Sequence, residues 1–208
     1  MRPTPAVRRV LLETKAALEA AGHTVIEWTP YDAPAGNQLL MRFLMGDGGV
    51  KMRSIVRGGE IPEPWPLQLE PFEQLYNMFK DNLPTVGGLW ELQVQRQVYL
   101  RQLYKSFYDS REVTGTGRPF DGIISPATAF PAAPRYTFRH AGYTGLWNLA
   151  DWTGVAFPAG WASKDDVKED GFEGRNADEK DIWEKCESPQ VNNSARIPRQ
   201  CRGEECQD

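Results

Sequence analysis

The sequence predicts an α/β fold, and three features of the chain support this prediction. A helical pattern over residues 5–21 runs into a segment rich in β-branched residues at 24–28. Short apolar runs at 121–126 and 155–158 each end in a proline, and such runs are typical of buried strands in a mostly parallel sheet. A second helical pattern directly precedes the last of these runs. Helices that alternate with strands indicate the α/β class.

The first element is predicted to be a helix over residues 5–21. Thr4 can cap it, and Pro5 suits its first position because proline lacks the N–H that is unpaired there. Gly22 ends the helix, and residues 24–28 follow as a strand. One face of the helix carries apolar residues at helical spacings: Val7, Val10, Leu11, Leu18 and Ala21. The strand pattern is then broken by Pro30 and Pro34.

The middle of the chain is predicted to be a loop-rich insertion followed by a long helix. Prolines keep the insertion in turns or short helices: Pro62, Pro64, Pro66, Pro71 and Pro84. Residues 89–109 contain no proline or glycine, and their apolar residues recur at helical spacings: Leu92, Tyr99, Leu103 and Phe107. The other face is charged, with Glu91, Arg96, Arg101 and Lys105. That face meets water or, alternatively, a partner.

The last helical pattern, residues 143–152, has a polar face that includes an aromatic residue. Thr144, Asn148 and Asp151 lie on it with Trp147, because residues three and four apart are neighbours on a helix. For Asn148 and Asp151 the favoured interpretation is structural, as paired polar groups that hold the helix against the sheet. For Thr144 and Gly145 a structural role and a role in ligand contact stay open. A glycine at this point leaves room for a ligand.

Several groups of residues occur in a fixed order along the chain. The first group is Pro5, Ala6, Val7, Arg8, Ala16, Leu18, Ala21, Gly22, His23 and Val25, and the second is Phe43, Asp47, Gly48 and Gly49. The motif Asp121, Gly122, Ile123, Ile124, Ser125 and Pro126 follows. The last group is Tyr143, Thr144, Trp147, Asn148, Asp151, Val155, Ala156, Phe157 and Pro158. This series resembles the C-terminal portion of the amidase-signature hydrolase family, especially its fungal acetamidase-like branch.

The resemblance implies a fold and a domain organisation. The chain would form part of the mixed-sheet amidase-signature fold with flanking helices, and the sheet would be incomplete. Residues 1–183 would be the C-terminal portion of an amidase domain. Residues 184–208 depart from the family pattern and are predicted to be a disordered tail.

The resemblance also implies hydrolysis of the carbon–nitrogen bond of carboxylic amides. That family uses a Lys and two Ser residues from its first half, and no segment here matches that half, so no catalytic residue is assigned and the chain alone is expected to be inactive. Thr144, Gly145 and Phe138 are expected to contact a small-molecule amide when the upstream half is present. The alternative is a non-catalytic α/β remnant that binds a small amide or a protein partner.

Charge and cysteine content argue against several other classes of protein. A net charge of -4 disfavours a nucleic-acid partner, because phosphate binding needs a concentrated cationic surface. No apolar run approaches the ~20 residues that a membrane helix requires. The cysteines Cys186, Cys201 and Cys206 are odd in number and favour a reducing, cytoplasmic compartment. Their spacing predicts neither a metal site nor a cofactor.

The two histidines are not assigned to catalysis. His23 is predicted to face solvent in a turn, and His140 lacks the spacing of a catalytic triad. The sequence leaves the oligomeric state open.

Overall fold

The computed structural model describes residues 1–51, 83–131 and 142–163, with some further positions at 54, 77, 165–166, 174, 177, 179–180 and 183. Its long helices are α1 (Pro5–Ala20), α2 (Ala33–Leu44), α3 (Val86–Asp109) and α4 (Gly142–Ala150). A short 3-10 helix, Ser110–Glu112, follows α3 directly. The predicted tail at 184–208 and most of the proline-rich insertion lie outside the described residues.

The α/β prediction is wrong for this structure, because the described residues are helical or irregular and contain no strand. Residues 24–28, 121–126 and 155–158 all run as irregular backbone. A strand exists only where a second strand supplies ladder hydrogen bonds, and none pairs with these segments among the described residues. An apolar, β-branched run shows that a segment suits burial in a sheet. It does not provide the neighbouring strand.

Helix α1 confirms the predicted first element and ends one residue earlier than predicted. Gly22 adopts φ +91°, and two backbone hydrogen bonds close the helix: Gly22 N–H donates to Glu19 O and His23 N–H donates to Leu18 O. This is the Schellman arrangement, which favours glycine at the left-handed position. Thr4 occupies the N-cap position, but its hydroxyl makes no capping bond. Its backbone N–H donates instead to Ala129 O at 2.7 Å, which joins the start of α1 to residues 129–130.

Helix α2 was not predicted from the sequence. Asp32 caps it, with one carboxylate oxygen accepting from Ala35 N–H at 3.2 Å, and a proline stands in its first turn. Pro34 was interpreted as a break, but a proline at this position begins a helix as readily as it ends a strand. Leu39 is buried on the inner side of α2.

The core lies where α2, α3 and α4 meet. It consists of Leu39 from α2, Leu92, Tyr99, Leu100 and Leu103 from α3, and Leu146, Leu149 and Ala150 from α4. The long helix predicted over 89–109 is confirmed as α3, which begins earlier, at Val86, because the Thr85 hydroxyl accepts from Gly88 N–H at 3.1 Å. Its predicted apolar residues are buried, apart from the half-buried Phe107.

An ion pair ties α1 to the segment that follows α4. The Arg9 guanidinium donates from Nε and Nη2 to the two carboxylate oxygens of Asp166, at 2.7 and 3.1 Å, and Nη2 also donates to Trp161 O. Ser163 N–H donates to the same carboxylate at 2.6 Å. These bonds hold Trp161, Ser163 and Asp166 beside α1.

Candidate functional site

Helix α4, which carries the predicted site residues Thr144 and Gly145, ends through a backbone turn at Asp151. Asp151 has φ +58°, in the left-handed region, where Asp and Asn are tolerated better than other non-glycine residues. Asp151 N–H donates to Asn148 O and Trp152 N–H donates to Trp147 O. These two bonds form a second Schellman arrangement, which fixes the direction of the chain after α4.

Two side chains of α3 satisfy carbonyl groups in the last turn of α4. Arg96 Nε donates to Leu149 O at 2.8 Å, and the Tyr104 hydroxyl donates to Ala150 O at 3.3 Å. A helix leaves its last carbonyls unpaired, and a guanidinium also complements the negative end of the helix dipole. The predicted polar face of α3 therefore does not simply meet water, because Arg96 anchors α4.

Two glycines allow α4 to pack closely on α2. A methyl group at Gly145 would lie 2.8 Å from Leu40 Cδ2 and 3.1 Å from Asn37 Oδ1. One at Gly36 would meet the Tyr99 hydroxyl and lie 2.7 Å from Leu146 Cδ1. In addition, Asn37 Nδ2 donates to Gly142 O at 3.2 Å. The first and last turns of α4 are thus both tied to neighbouring helices.

The predicted site residues do not share one environment. Thr144 is exposed, whereas Gly145 is buried against α2. Phe138 lies outside the described residues, and Thr144 and Gly145 are neighbours in the chain that face different surroundings. Substrate contact by these three residues stays a prediction.

Asn148 and Asp151 do not act as paired polar groups inside the fold, because both are exposed. Asp151 contributes through its backbone conformation instead. Trp147 is half-buried and stacks on Trp152, with ring centroids 5.5 Å apart and an interplanar angle of 10°. His23 is exposed in the turn after α1, which confirms its predicted position, and His140 lies outside the described residues.

A groove that the sequence did not predict lies between the start of α2 and the middle of α3. Its volume is about 300 Å³, and its lining is Tyr31, Asp32, Ala35, Val94, Gln95, Val98, Tyr99 and Gln102. The Tyr99 hydroxyl donates to Tyr31 O at 2.8 Å, and the two rings lie 5.9 Å apart. Burial, with the nearby Asp32 carboxylate and Tyr31, raises the pKa of Tyr99 to about 12. Tyr99 therefore stays protonated at neutral pH and keeps the hydroxyl hydrogen that it donates to Tyr31 O.

Asp32 is the residue from which one wall of this groove, the start of α2, could have been predicted. It stands two residues before Pro34, and an Asp followed by a proline is typical of a helix start. This pattern predicts the start of α2. The spacing of Tyr99 in the sequence predicts only a core residue of α3, so the groove itself could not be predicted.

Comparison with known proteins decides the family. The amidase family profile matches residues 1–171. The chain belongs to the amidase family. This amidase-family chain is 32% identical over 174 residues to an acetamidase of Emericella nidulans, in an alignment that covers 82% of the chain and 30% of the relative. It is 31% identical to Amidase 2 of Gibberella moniliformis, over 80% of the chain and 31% of the relative. Fatty-acid amide hydrolase 1 of Sus scrofa is 27% identical over 94% of the chain and 36% of that protein.

The amidase-family chain spans only about a third of the length of these relatives. The predicted family and its acetamidase-like character are confirmed. No solved structure gives a significant match. In the part of the chain that the structure describes, no helix is both long and apolar enough to cross a membrane.

Proposed function

We propose that this chain forms the substrate-pocket part of an amidase that hydrolyses the carbon–nitrogen bond of carboxylic amides. The observation that carries the proposal is the amidase family match over residues 1–171. The names of its relatives, acetamidase, amidase and fatty-acid amide hydrolase, share the amide bond as the group acted on. The proposal is restricted to the carboxylic amide class and does not choose among its members.

The proposed role of the chain is to bind and orient the amide. Thr144, Gly145 and Phe138 are the proposed contacts. Thr144 is supported best, because its exposed side chain projects from a helix that Asn37 holds at its first turn and Arg96 holds at its last. A hydroxyl on such a rigid element can donate to the amide carbonyl or accept from the amide nitrogen.

The proposed chemistry replaces the amide nitrogen with an oxygen from water and releases a carboxylic acid and ammonia or an amine. The family resemblance assigns the attack to a serine, with a second serine and a lysine that move the proton. We propose that these groups come from the part of the relatives that the chain does not span. In that arrangement the chain supplies the pocket wall and the remainder supplies the nucleophile.

The test combines this chain with that remainder. The 208-residue chain is co-expressed with the part of the Emericella nidulans acetamidase that lies outside the matched region, and ammonia release from acetamide is measured. We expect release from the combination and none from either piece alone or from a heat-killed mixture. Steady release by the chain alone would show that it carries its own nucleophile. No release from a well-folded complex would leave the chain as a non-catalytic binding protein.

A further inference from the structure

Helix α3 carries a row of exposed apolar residues on the side away from the core, in the part of the helix that precedes Arg101 and Lys105 on that side. Val86, Trp90, Val94 and Val98 follow one another at spacings of four, which places them along one ridge of the helix, and each is more than half exposed. The buried residues of α3, such as Leu92, Tyr99 and Leu103, occupy the opposite side. A continuous row of exposed apolar side chains marks a surface that another segment can cover. We call the four exposed residues the α3 stripe.

The α3 stripe continues into the groove between α2 and α3. Val94 and Val98 belong to both, so the ridge and the groove form one surface. The groove has room for one or two side chains at about 300 Å³. The Tyr99 hydroxyl beside the groove already donates to Tyr31 O. An apolar side chain can therefore occupy the groove without leaving that hydroxyl unpaired. A ridge next to a pocket is the shape that receives a partner segment with a projecting anchor residue.

We propose that the α3 stripe and the groove dock an apolar segment from the part of the amidase chain that the relatives possess and this chain does not span. This inference rests on the proposed function. The match covers only 30% of the acetamidase and contains the whole of α3, so most of such a protein lies outside the matched region. The four stripe side chains are themselves uncharged, so an apolar segment that covers them removes no charge of the stripe from water.

A second copy of this chain fits the same surface less well. A stable dimer buries about 800 Å² on each partner, and four partly exposed side chains on one helix fall short of that area. A contact inside a larger amidase assembly has no such requirement, because it adds to other contacts between the same two parts.

The experiment uses co-expression of the tagged 208-residue chain with the unmatched part of the Emericella nidulans acetamidase. We expect the double variant Val94→Glu with Val98→Glu to reduce the copurified partner at least tenfold. Val113→Glu is the matched control, because Val113 is 66% exposed against 62% for Val94 but lies in the turn after α3. It should change copurification less than twofold. The double variant Val94→Ala with Val98→Ala removes only apolar area and should give an intermediate loss.

The possible results separate the docking surface from the proposed function. Copurification unaffected by the Glu pair, or no association of the unaltered chain, overturns the docking inference. A dimer of the chain alone that the Glu pair dissociates assigns the surface to a second copy and also overturns it. Stripe-dependent association without ammonia release supports docking and contradicts the proposed function. Ammonia release that the Glu pair leaves unchanged supports the proposed function and contradicts docking at this surface.

Discussion

At the scale of single residues, Asp151 determines how α4 ends. Its φ of +58° lets Trp152 N–H reach Trp147 O, and Trp152 then stacks on Trp147. For a residue with a Cβ the left-handed region costs roughly 1–2 kcal/mol, although Asp bears this better than most residues. Glycine removes that cost and loses more conformational freedom on folding, by roughly 0.5–1 kcal/mol.

Changing Asp151 should therefore alter stability in either direction, according to the new side chain. We expect Asp151→Gly to raise the free energy of unfolding by about 0.5–1 kcal/mol, because the strain that it relieves exceeds the entropy that it adds. Asp151→Val should lower it by more than about 1 kcal/mol, since a β-branched residue suits this conformation poorly. Urea denaturation followed by circular dichroism measures both changes. The control, Asn148→Gly within α4, should destabilise, and stabilisation by both glycines would contradict the argument.

Residue identity predicted the family better than it predicted the roles of the site residues. The spacing of Thr144, Asn148 and Asp151 correctly places them on a helix, but the sequence pattern suggested that the last two are paired inside the fold and the structure exposes both. The side of a helix that is buried depends on what packs against it. Here that element is α2, which was not predicted from the sequence, and its Leu40 lies where a side chain at Gly145 would extend.

At the scale of elements, two glycines set the distance between α2 and its neighbours. Gly36 allows the Tyr99 ring and Leu146 to approach α2, and Gly145 allows Leu40 to approach α4. The side chains that face the two glycines differ in how easily they can move aside. Leu40 Cδ2 is the end of a flexible side chain, whereas the Tyr99 ring is held by the core and by its bond to Tyr31 O.

Alanine at these two glycines should therefore have unequal effects. Gly36→Ala should lower the free energy of unfolding by about 1–2 kcal/mol, because the cost of overpacking exceeds the gain in helix propensity of about 1 kcal/mol. Gly145→Ala should be close to neutral, because rotation of Leu40 makes room and Asn37 Oδ1, at 3.1 Å, needs only a small shift. Chemical denaturation of the two variants beside the unaltered chain gives the comparison. Equal destabilisation by both would contradict the argument that the partner's freedom to move decides the cost.

The helices α1, α3 and α4 were predictable because each carries its own helical spacing, of apolar residues in α1 and α3 and of polar residues in α4. Helix α2 was missed because Pro30 and Pro34 were taken to end a strand, although Pro34 lies in the first turn of a helix that Asp32 caps. The three predicted strands failed for a different reason. Helical hydrogen bonds are satisfied within one segment, but a strand needs a neighbour, and a local pattern cannot show where that neighbour lies.

At the scale of the whole molecule, the ion pair of Arg9 and Asp166 joins positions 157 residues apart in the chain. The hydrogen bonds from Arg9 lower the pKa of the Asp166 carboxyl, and the bond from Ser163 N–H acts in the same direction, while partial burial opposes them. Because the folded pKa is below the ordinary value of about 3.9, folding favours the ionised carboxylate. The stabilisation is present above pH ~4 and is lost as the pH falls through the lower folded value.

We therefore expect the midpoint of thermal unfolding to fall as the pH is lowered from about 5 towards 3, and part of that fall to depend on Asp166. Asp166→Asn should flatten the dependence, since an amide does not titrate and cannot form the ion pair, and its midpoint at pH 7 should lie below that of the unaltered chain. Asp165→Asn is the control, because the Asp165 carboxylate accepts from the Ser163 hydroxyl and not from Arg9. Thermal melts of the three proteins at several pH values provide the test. An Asp166→Asn profile parallel to that of the unaltered chain would mean that the ion pair between Arg9 of α1 and Asp166 contributes nothing to folding.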